Sequence, residues 1–277
     1  MNDNTFTIKE SYTMDELLEI MYFLRSDSGC PWDRAQTHES LQGNMLEEAY
    51  EAVDAIQSGD PNKLCEELGD VLLQVVFHAQ MGDQAGTFNF TDVVSGICRK
   101  LISRHTHLFG SDTAHTPDAV LETWEKNKHQ EKGFQSTSEA MRDVPRGMPA
   151  LTRAYKLQTK AANVGFDWPS HEGAKEKIHE EMGELIAEVD QNDMGRMREE
   201  AGDVLFAVVN MLRLLKIDPE SALIASSEKF VRRFEEMEQS AEQEGRPLKD
   251  MTLDEMTVLY DAVKIHERST GELKNET

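Results

Sequence analysis

Glu48 and Glu51 stand three residues apart in "LEEAYE", and Glu67 and Asp70 stand three apart in "EELGDVLLQVV". Residues at i and i+3 share a helix face, so each pair projects two carboxylates from one patch. The sixteen-residue step from Glu51 to Glu67, interrupted by "SGDP" (Ser58 to Pro61), suits a helical hairpin whose antiparallel arms face each other. Four carboxylates then converge. Unpaired, they repel one another, and beside an apolar stripe they also lose hydration. A divalent cation relieves both costs. An all-oxygen donor set suits a hard ion, Mg²⁺ or alternatively Mn²⁺, with water or phosphate oxygens completing the octahedron.

The set is written twice. "HEEMGE" from His179 and "EEAGDVLFAVV" from Glu199 repeat the first two stretches at an offset of 133, giving Glu181, Glu184, Glu200 and Asp203. Glu47 and Glu180 add a fifth carboxylate to each half, either behind the ligands or as a base. Gly69 and Gly202 precede the aspartates, and since Gly costs a helix about 1 kcal/mol relative to Ala, they predict close packing of a neighbouring helix. Any one of these glutamates alone reads as a solvated helix face. The doubled pattern at matched spacing is what argues for a site.

The elements that must position these groups are helical. Leu68, Val71, Leu72, Val75 and Ala79 recur at steps of three and four, as do Val204, Leu205, Val208, Val209 and Leu212. "SGDP" and "KIDPES" mark helix ends and starts, and no alternating strand pair is present. The fold class predicted is all-α, with two tandem helical-bundle domains. The stretch from Glu131 to Pro149 mixes Gly, Ser, Thr and Pro without sustained periodicity. The expected division is therefore an N-terminal domain at 1–130, a linker at 131–144 and a C-terminal domain at 145–277.

Composition bounds the ligand. Hydrophobic residues at 39% and charged residues at 29% describe a globular chain, and no apolar run approaches the roughly 20 residues that span a bilayer. The N-terminus lacks the basic start and apolar middle of a secretory signal, so a cytoplasmic protein without membrane attachment is expected. A formal net charge of −23 argues against a nucleic-acid polymer as partner. A small phosphorylated ligand fits if metal ions screen the carboxylates and a few cations meet the phosphates. Cys30, Cys65 and Cys98 form neither a disulfide framework nor a zinc pair, and are expected as buried thiols.

Such cations exist. Lys229 and Arg233 at i and i+4 share a helix face, Lys177 lies one turn before Glu181, and Arg196 lies four residues before Glu200. The first half repeats the first pair as Lys100 and Arg104, and Trp124 and Lys128 match Tyr260 and Lys264. It departs at the other two positions, with Asn44 opposite Lys177 and Lys63 opposite Arg196. The second half is therefore expected to be the main catalytic domain. That leaves the first half, with its second metal set of Glu48, Glu51, Glu67 and Asp70, weakly active, differently selective or chiefly structural.

Glu-Glu-x-x-Glu followed by Glu-x-x-Asp on an all-α frame resembles the MazG family of nucleoside triphosphate pyrophosphohydrolases, from about Tyr12 to Val263. "GCPWD" from Gly29, "RHTHLFG" from Arg104 and "ANVGFDW" from Ala162 look like further landmarks of that family. The resemblance implies two such domains in tandem and hydrolysis of nucleoside triphosphates, ribo- or deoxyribo- with a broad base range, to monophosphate and pyrophosphate. The role implied is nucleotide-pool housekeeping or regulation. It implies Mg²⁺ held by Glu181, Glu184, Glu200 and Asp203, Glu180 beside them, and nucleotide contacts at Lys177, Arg196, Lys229 and Arg233. Tyr260 stands where the family pattern has a tryptophan, and is expected to stack on the base with a smaller ring. Trp32 and Trp168 lie outside the hairpins and read as packing residues. Similar all-α pyrophosphohydrolases pair subunits across the site, so a homodimer with nucleotide contacts from both chains is expected.

Two other readings compete. Ferritin-like di-iron or di-manganese proteins also gather Glu from a helical bundle but use Glu-x-x-His, whereas the partners here are Glu51, Asp70, Glu184 and Asp203. A non-enzymatic acidic helical interaction or regulatory module predicts no turnover. It gives no reason for the cation pair to recur in both halves.

Overall fold

A computed structural model of the protein describes residues 6–270. Between Glu131 and Lys132 the chain divides into two compact units. The described residues contain helices and no strand, so the fold is all-α. The first unit comprises α1 (Met14–Leu24), α2 (Pro31–Ala35), α3 (Gln42–Ser58), α4 (Pro61–Gln84), α5 (Phe90–Arg104), α6 (Thr106–Phe109) and α7 (Pro117–Lys132). The second comprises α8 (Thr137–Arg142), α9 (Ala150–Ala162), α10 (His171–Gln191), α11 (Met194–Leu214), α12 (Pro219–Gln243), a short 3₁₀ turn (Leu248–Asp250) and α13 (Leu253–Thr270).

The hairpin turns follow from local chemistry. α3 stops at Gly59, whose φ of 69° is left-handed, and Asp60 then caps α4 by accepting from the backbone N–H groups of Asn62 and Lys63, with Pro61 at the first helical position. The second hairpin does the same with different residues. Asn192 ends α10 at φ 57°, and Asp193 accepts from the backbone of Gly195 and Arg196 to start α11. In each unit the two arms pack along their length, α3 on α4 and α10 on α11.

Further helices lean on the hairpins. In the first unit Met21 of α1 and Leu41 are buried against Val76, Phe77 and Met81 of α4, with Leu17, Leu18, Leu72, Leu73 and Phe90 around them. In the second, Gln158 of α9 is buried, and its Nε2 donates to the Phe206 carbonyl on α11 at 2.7 Å. The segment expected to be a linker carries the end of α7 and all of α8. Ser136 caps α8, and Ala140 and Val144 are buried.

Three expectations are corrected. Cys65 and Cys98 are exposed and Cys30 is only partly covered. Cys65 precedes the first buried residue of α4, and α5 buries only Arg104. A Cβ on Gly69 or Gly202 would meet nothing within 4 Å, so close helix packing is not what selects glycine there. The apolar stripes are also only partly internal. Leu68 and Leu205 are exposed, and so are Val53 and Ile56 of α3 and, at the equivalent positions of α10, Ile186 and Val189.

Candidate active site

On α10 the spacing of Lys177, Glu181, Glu184 and Glu188 keeps four ionisable groups on one face. On α11, Arg196, Glu200, Asp203 and Ala207 follow the same rhythm and face them. One carboxylate oxygen from each of Glu181, Glu184 and Glu200 lies within 4.8 Å of the others. Glu181 is buried at 7% exposure, Glu200 is half-buried, and Glu184 and Asp203 are exposed. Burial raises the Glu200 carboxyl above its usual range, and the neighbouring charges of Glu184, Asp203, Glu181 and Glu199 add to the effect. Lys177 Nζ lies 2.7 Å from Glu181 and 3.0 Å from Glu180. Those hydrogen bonds hold its pKa well above the ordinary lysine value, so it is a permanent cation at the edge of the cluster.

Beside the cluster opens a cavity of about 380 Å³. Lys177, Glu181 and Asp203 form one end, and Phe166, Trp168, Phe206, Ala207 and Asn210 line the rest. Trp168, expected to be a packing residue, also forms a wall of this cavity. Its ring lies so close over Gly173 that a Cβ there would approach it to 2.6 Å. Phe166, Ala207 and Asn210 were not anticipated. Ala207 and Asn210 continue the i, i+3/i+4 register of Asp203 down α11, a signal that was available. Trp168 comes from the loop before α10 and enters the site only through the fold.

The first unit builds a related cluster with a different membership. There Glu48, Glu67 and Asp70 bring one oxygen each within 4.8 Å, and Glu51 is outside this trio. Burial raises both Glu48 and Glu67; Asp70 and Glu51 reinforce the first shift, and Glu51 the second. Gln74 Nε2 donates to Glu48 Oε1 at 3.4 Å.

The remaining predicted contacts stand elsewhere. Arg196 Nη1 lies 3.4 Å from Glu188 Oε1. Lys229, Arg233 and Tyr260 form a group of their own on α12 and α13. Arg233 Nε donates to Glu267 Oε2 at 2.8 Å, Tyr260 packs 6.1 Å from Phe230, and Lys264 lies over the Tyr260 ring. Glu267 lies at the centre of that group, buried, its carboxyl lowered mainly by the Arg233 hydrogen bond. The first unit repeats the arrangement: Arg104 donates to Glu131 from Nε and Nη2 at 2.8 and 3.2 Å, and sits 5.3 Å over Trp124. The duplication thus extends to how these arginines are anchored.

Three carboxylates with oxygens this close, one of them destabilised in its ionised form by burial and by its neighbours, fit a hard divalent cation. An all-oxygen set offers nothing that a soft metal prefers.

Comparison with known proteins agrees with this chemistry. The sequence pattern of the MazG nucleotide pyrophosphohydrolase domain matches twice, over residues 36–109 and 169–237. The chain is 43% identical over 250 residues to the nucleoside triphosphate pyrophosphohydrolase/pyrophosphatase MazG of Thermotoga maritima, covering 90% of this chain and 95% of that protein. It is 42% identical over 257 residues to the nucleoside triphosphate pyrophosphohydrolase of Escherichia coli (strain K12), covering 92% and 98%. It is also 46% identical over 246 residues to the protein YabN of Bacillus subtilis, 88% of this chain and 50% of that one. With both carboxylate hairpins inside the matched segments, the chain belongs to the MazG nucleotide pyrophosphohydrolase family.

Proposed function

We propose that this protein hydrolyses nucleoside triphosphates to monophosphate and pyrophosphate at the α10–α11 hairpin. The observation that carries the reading is the adjacency of a three-carboxylate cluster to an aromatic-walled cavity with a lysine at their junction. Glu181, Glu184, Glu200 and Asp203 would hold Mg²⁺, with Mn²⁺ as a substitute. When bound, the ion would neutralise phosphate charge and acidify a coordinated water. Lys177 meets the phosphates. Glu180, held beside Glu181 by the shared lysine, accepts the proton of the attacking water. The water oxygen bonds to phosphorus as the α–β phosphoanhydride breaks, and pyrophosphate leaves with its electron pair. The nucleoside end enters the cavity between Phe166 and Trp168, whose faces stack on any base.

A homodimer completes the site in this reading. The outward apolar residues Met182, Ile186 and Val189 on α10, and Phe230, Val231 and Phe234 on α12, present a surface that a second copy would cover. Lys229, Arg233 and Tyr260 of that copy would then approach the phosphates and sugar, and Arg196 would leave Glu188 for a phosphate oxygen. The two units act as separate domains, the second catalytic. No described helix is long and apolar enough to cross a membrane, and we assign the enzyme to the cytoplasm and to nucleotide-pool housekeeping or regulation.

The test is product analysis for each common nucleoside triphosphate, with Mg²⁺ or with a chelator, beside Glu200→Gln. Monophosphate and pyrophosphate, lost with chelator and in the variant, are the expected result. No turnover of any triphosphate would return the chain to the acidic interaction module.

A further inference from the structure

A chain of hydrogen bonds runs from the aromatic wall of the cavity to α11. Arg213, with its side chain only 10% exposed, donates to Asn210 Oδ1 from Nε at 3.0 Å and from Nη2 at 2.9 Å. It also donates to Asp167 Oδ1, which in turn accepts from the Trp168 backbone N–H at 2.8 Å. Asn210 and Asp167 both line the cavity.

The direction of these bonds settles an orientation that an asparagine amide otherwise leaves open. Arginine carries five N–H donors and no acceptor, so the atom of Asn210 facing Arg213 must be the oxygen. The amide nitrogen is therefore turned away from it. Among the described residues nothing accepts from that nitrogen. Asp167 is fixed in the complementary sense: one oxygen is occupied by Arg213 and Trp168, and the other is left as an acceptor.

We propose that Asn210 and Asp167, locked by Arg213, are the base-reading pair of this site and favour nucleobases presenting a carbonyl next to a ring N–H. Asn210 Nδ2 donates to the carbonyl and Asp167 accepts from the neighbouring N–H. Uracil, thymine, guanine and hypoxanthine carry that edge; cytosine and adenine put an amino group where the carbonyl would be, and two donors then face each other. The preference is imposed by a positioning residue, Arg213, since an unpinned amide rotates to suit either edge. It is confined to the second unit. At the 133-residue offset Asn210 and Arg213 correspond to Phe77, which is buried in the core, and Gln80.

This inference rests on the pyrophosphohydrolase reading only for placing a base in the cavity, and its test separates the two. UTP and CTP have the same size and charge and differ at the edge in question. For the full chain with Mg²⁺, kcat/KM for UTP is expected to exceed that for CTP by at least about tenfold, since with CTP the Asn210 donor and the Asp167 acceptor both lose their partners. UMP and CMP affinities, measured by calorimetry, are expected to differ in the same direction whether or not turnover occurs. Asn210→Asp keeps the partner of Arg213 but turns the donor into an acceptor, and should bring the ratio near one while CTP is still hydrolysed, because each base then meets one matched partner and one mismatched one. Asn210→Ser, whose hydroxyl both donates and accepts, should reduce the UTP preference to the part set by Asp167 and serves if the aspartate variant does not fold. A purely structural Asn210 would lower both activities and leave the ratio alone. Equal wild-type ratios in turnover and in affinity, or a ratio unmoved in a folded variant, would overturn the proposal. Absence of turnover with a retained UMP preference would overturn only the reading of the reaction.

Discussion

The two units share a hairpin turn design, a carboxylate rhythm and an anchored arginine, and in the second a cavity lies beside the carboxylates. The difference lies in what fills the space next to the acids. Ala207 faces the cavity in the second unit, and its counterpart at the 133-residue offset is Gln74, which is buried and donates to Glu48. Asn210 is replaced by Phe77, which joins Met21, Leu41, Val76 and Met81 in the core. Lys177 is replaced by Asn44. Keeping the carboxylates is thus separable from keeping a cavity lined as the second unit's is. A carboxylate cluster costs stability when empty, through the burial, reinforced by mutual repulsion, that raises Glu48 and Glu67 as it raises Glu200. Its retention in a hairpin whose adjacent space is filled points to a cation site there that outlived, or never needed, a nucleotide pocket.

The sharpest way to break this comparison is to remove one ligand from each unit. Losing an outer-shell partner of a metal ligand costs 10–100-fold in affinity or activity, so losing a direct ligand in Glu200→Gln should lower kcat by at least about 100-fold. Glu67→Gln should leave steady-state hydrolysis unchanged. Equal losses from the two variants would mean that both hairpins turn over substrate, and the filled space of the first would have to open in solution.

The next test grafts the first unit's residues onto the second. Lys177→Asn removes a charged hydrogen-bond donor from the phosphate end and should reduce kcat/KM by about 10- to 100-fold. Ala207→Gln should fill the cavity as Gln74 does, raising KM about tenfold with a smaller change in kcat, because the pocket and not the cluster is altered. An unchanged KM in Ala207→Gln would place the nucleoside elsewhere, with Tyr260 as the natural alternative platform.

How much of this was legible from sequence follows from which interactions are local. Helix ends and carboxylate faces depend on residues three or four apart and on caps such as Asp60 and Asp193, so they could be read directly. The two trios could not: both hairpins supply four acids, but the cluster takes Glu184 and leaves Asp203 out in one, and takes Asp70 and leaves Glu51 out in the other. That choice depends on how far the arms are offset, which spacing alone does not specify. Trp168 packs over Gly173, and its place beside the cavity is made by the chain folding back. Leu68, Leu205, Ile186 and Val189 were apolar at the right period and still face outward. Periodicity identifies a face, and cannot say whether this chain or a second copy covers it.

The smallest effect, and the one that compares the clusters without substrate, is on metal-free stability against pH. A carboxyl raised in the folded state prefers its proton there, so the native chain takes up that proton before the unfolded chain does as pH falls. Relative to neutral pH, the Glu200 contribution therefore becomes less unfavourable on acidification through its raised pKa, and is constant below the ordinary carboxylate value of 4.5. Glu267 has the opposite sign: its lowered carboxyl stabilises at neutral pH, and that contribution fades only in more acidic solution. Between neutral pH and about 4.5 the raised groups dominate the difference. In chelator, Glu200→Gln should thus melt slightly above wild type at pH 7, by less than about 2 °C for a domain of this size. The gap should close towards pH 4.5, and Glu67→Gln should behave alike. Added Mg²⁺ should invert the order, since the ion binds only ionised ligands and so stabilises the wild type as pH rises. A first-unit variant that shows the chelator effect but no Mg²⁺ inversion would mean that Glu48, Glu67 and Asp70 repel one another without ever holding a cation, leaving the second hairpin as the only metal site of the pair.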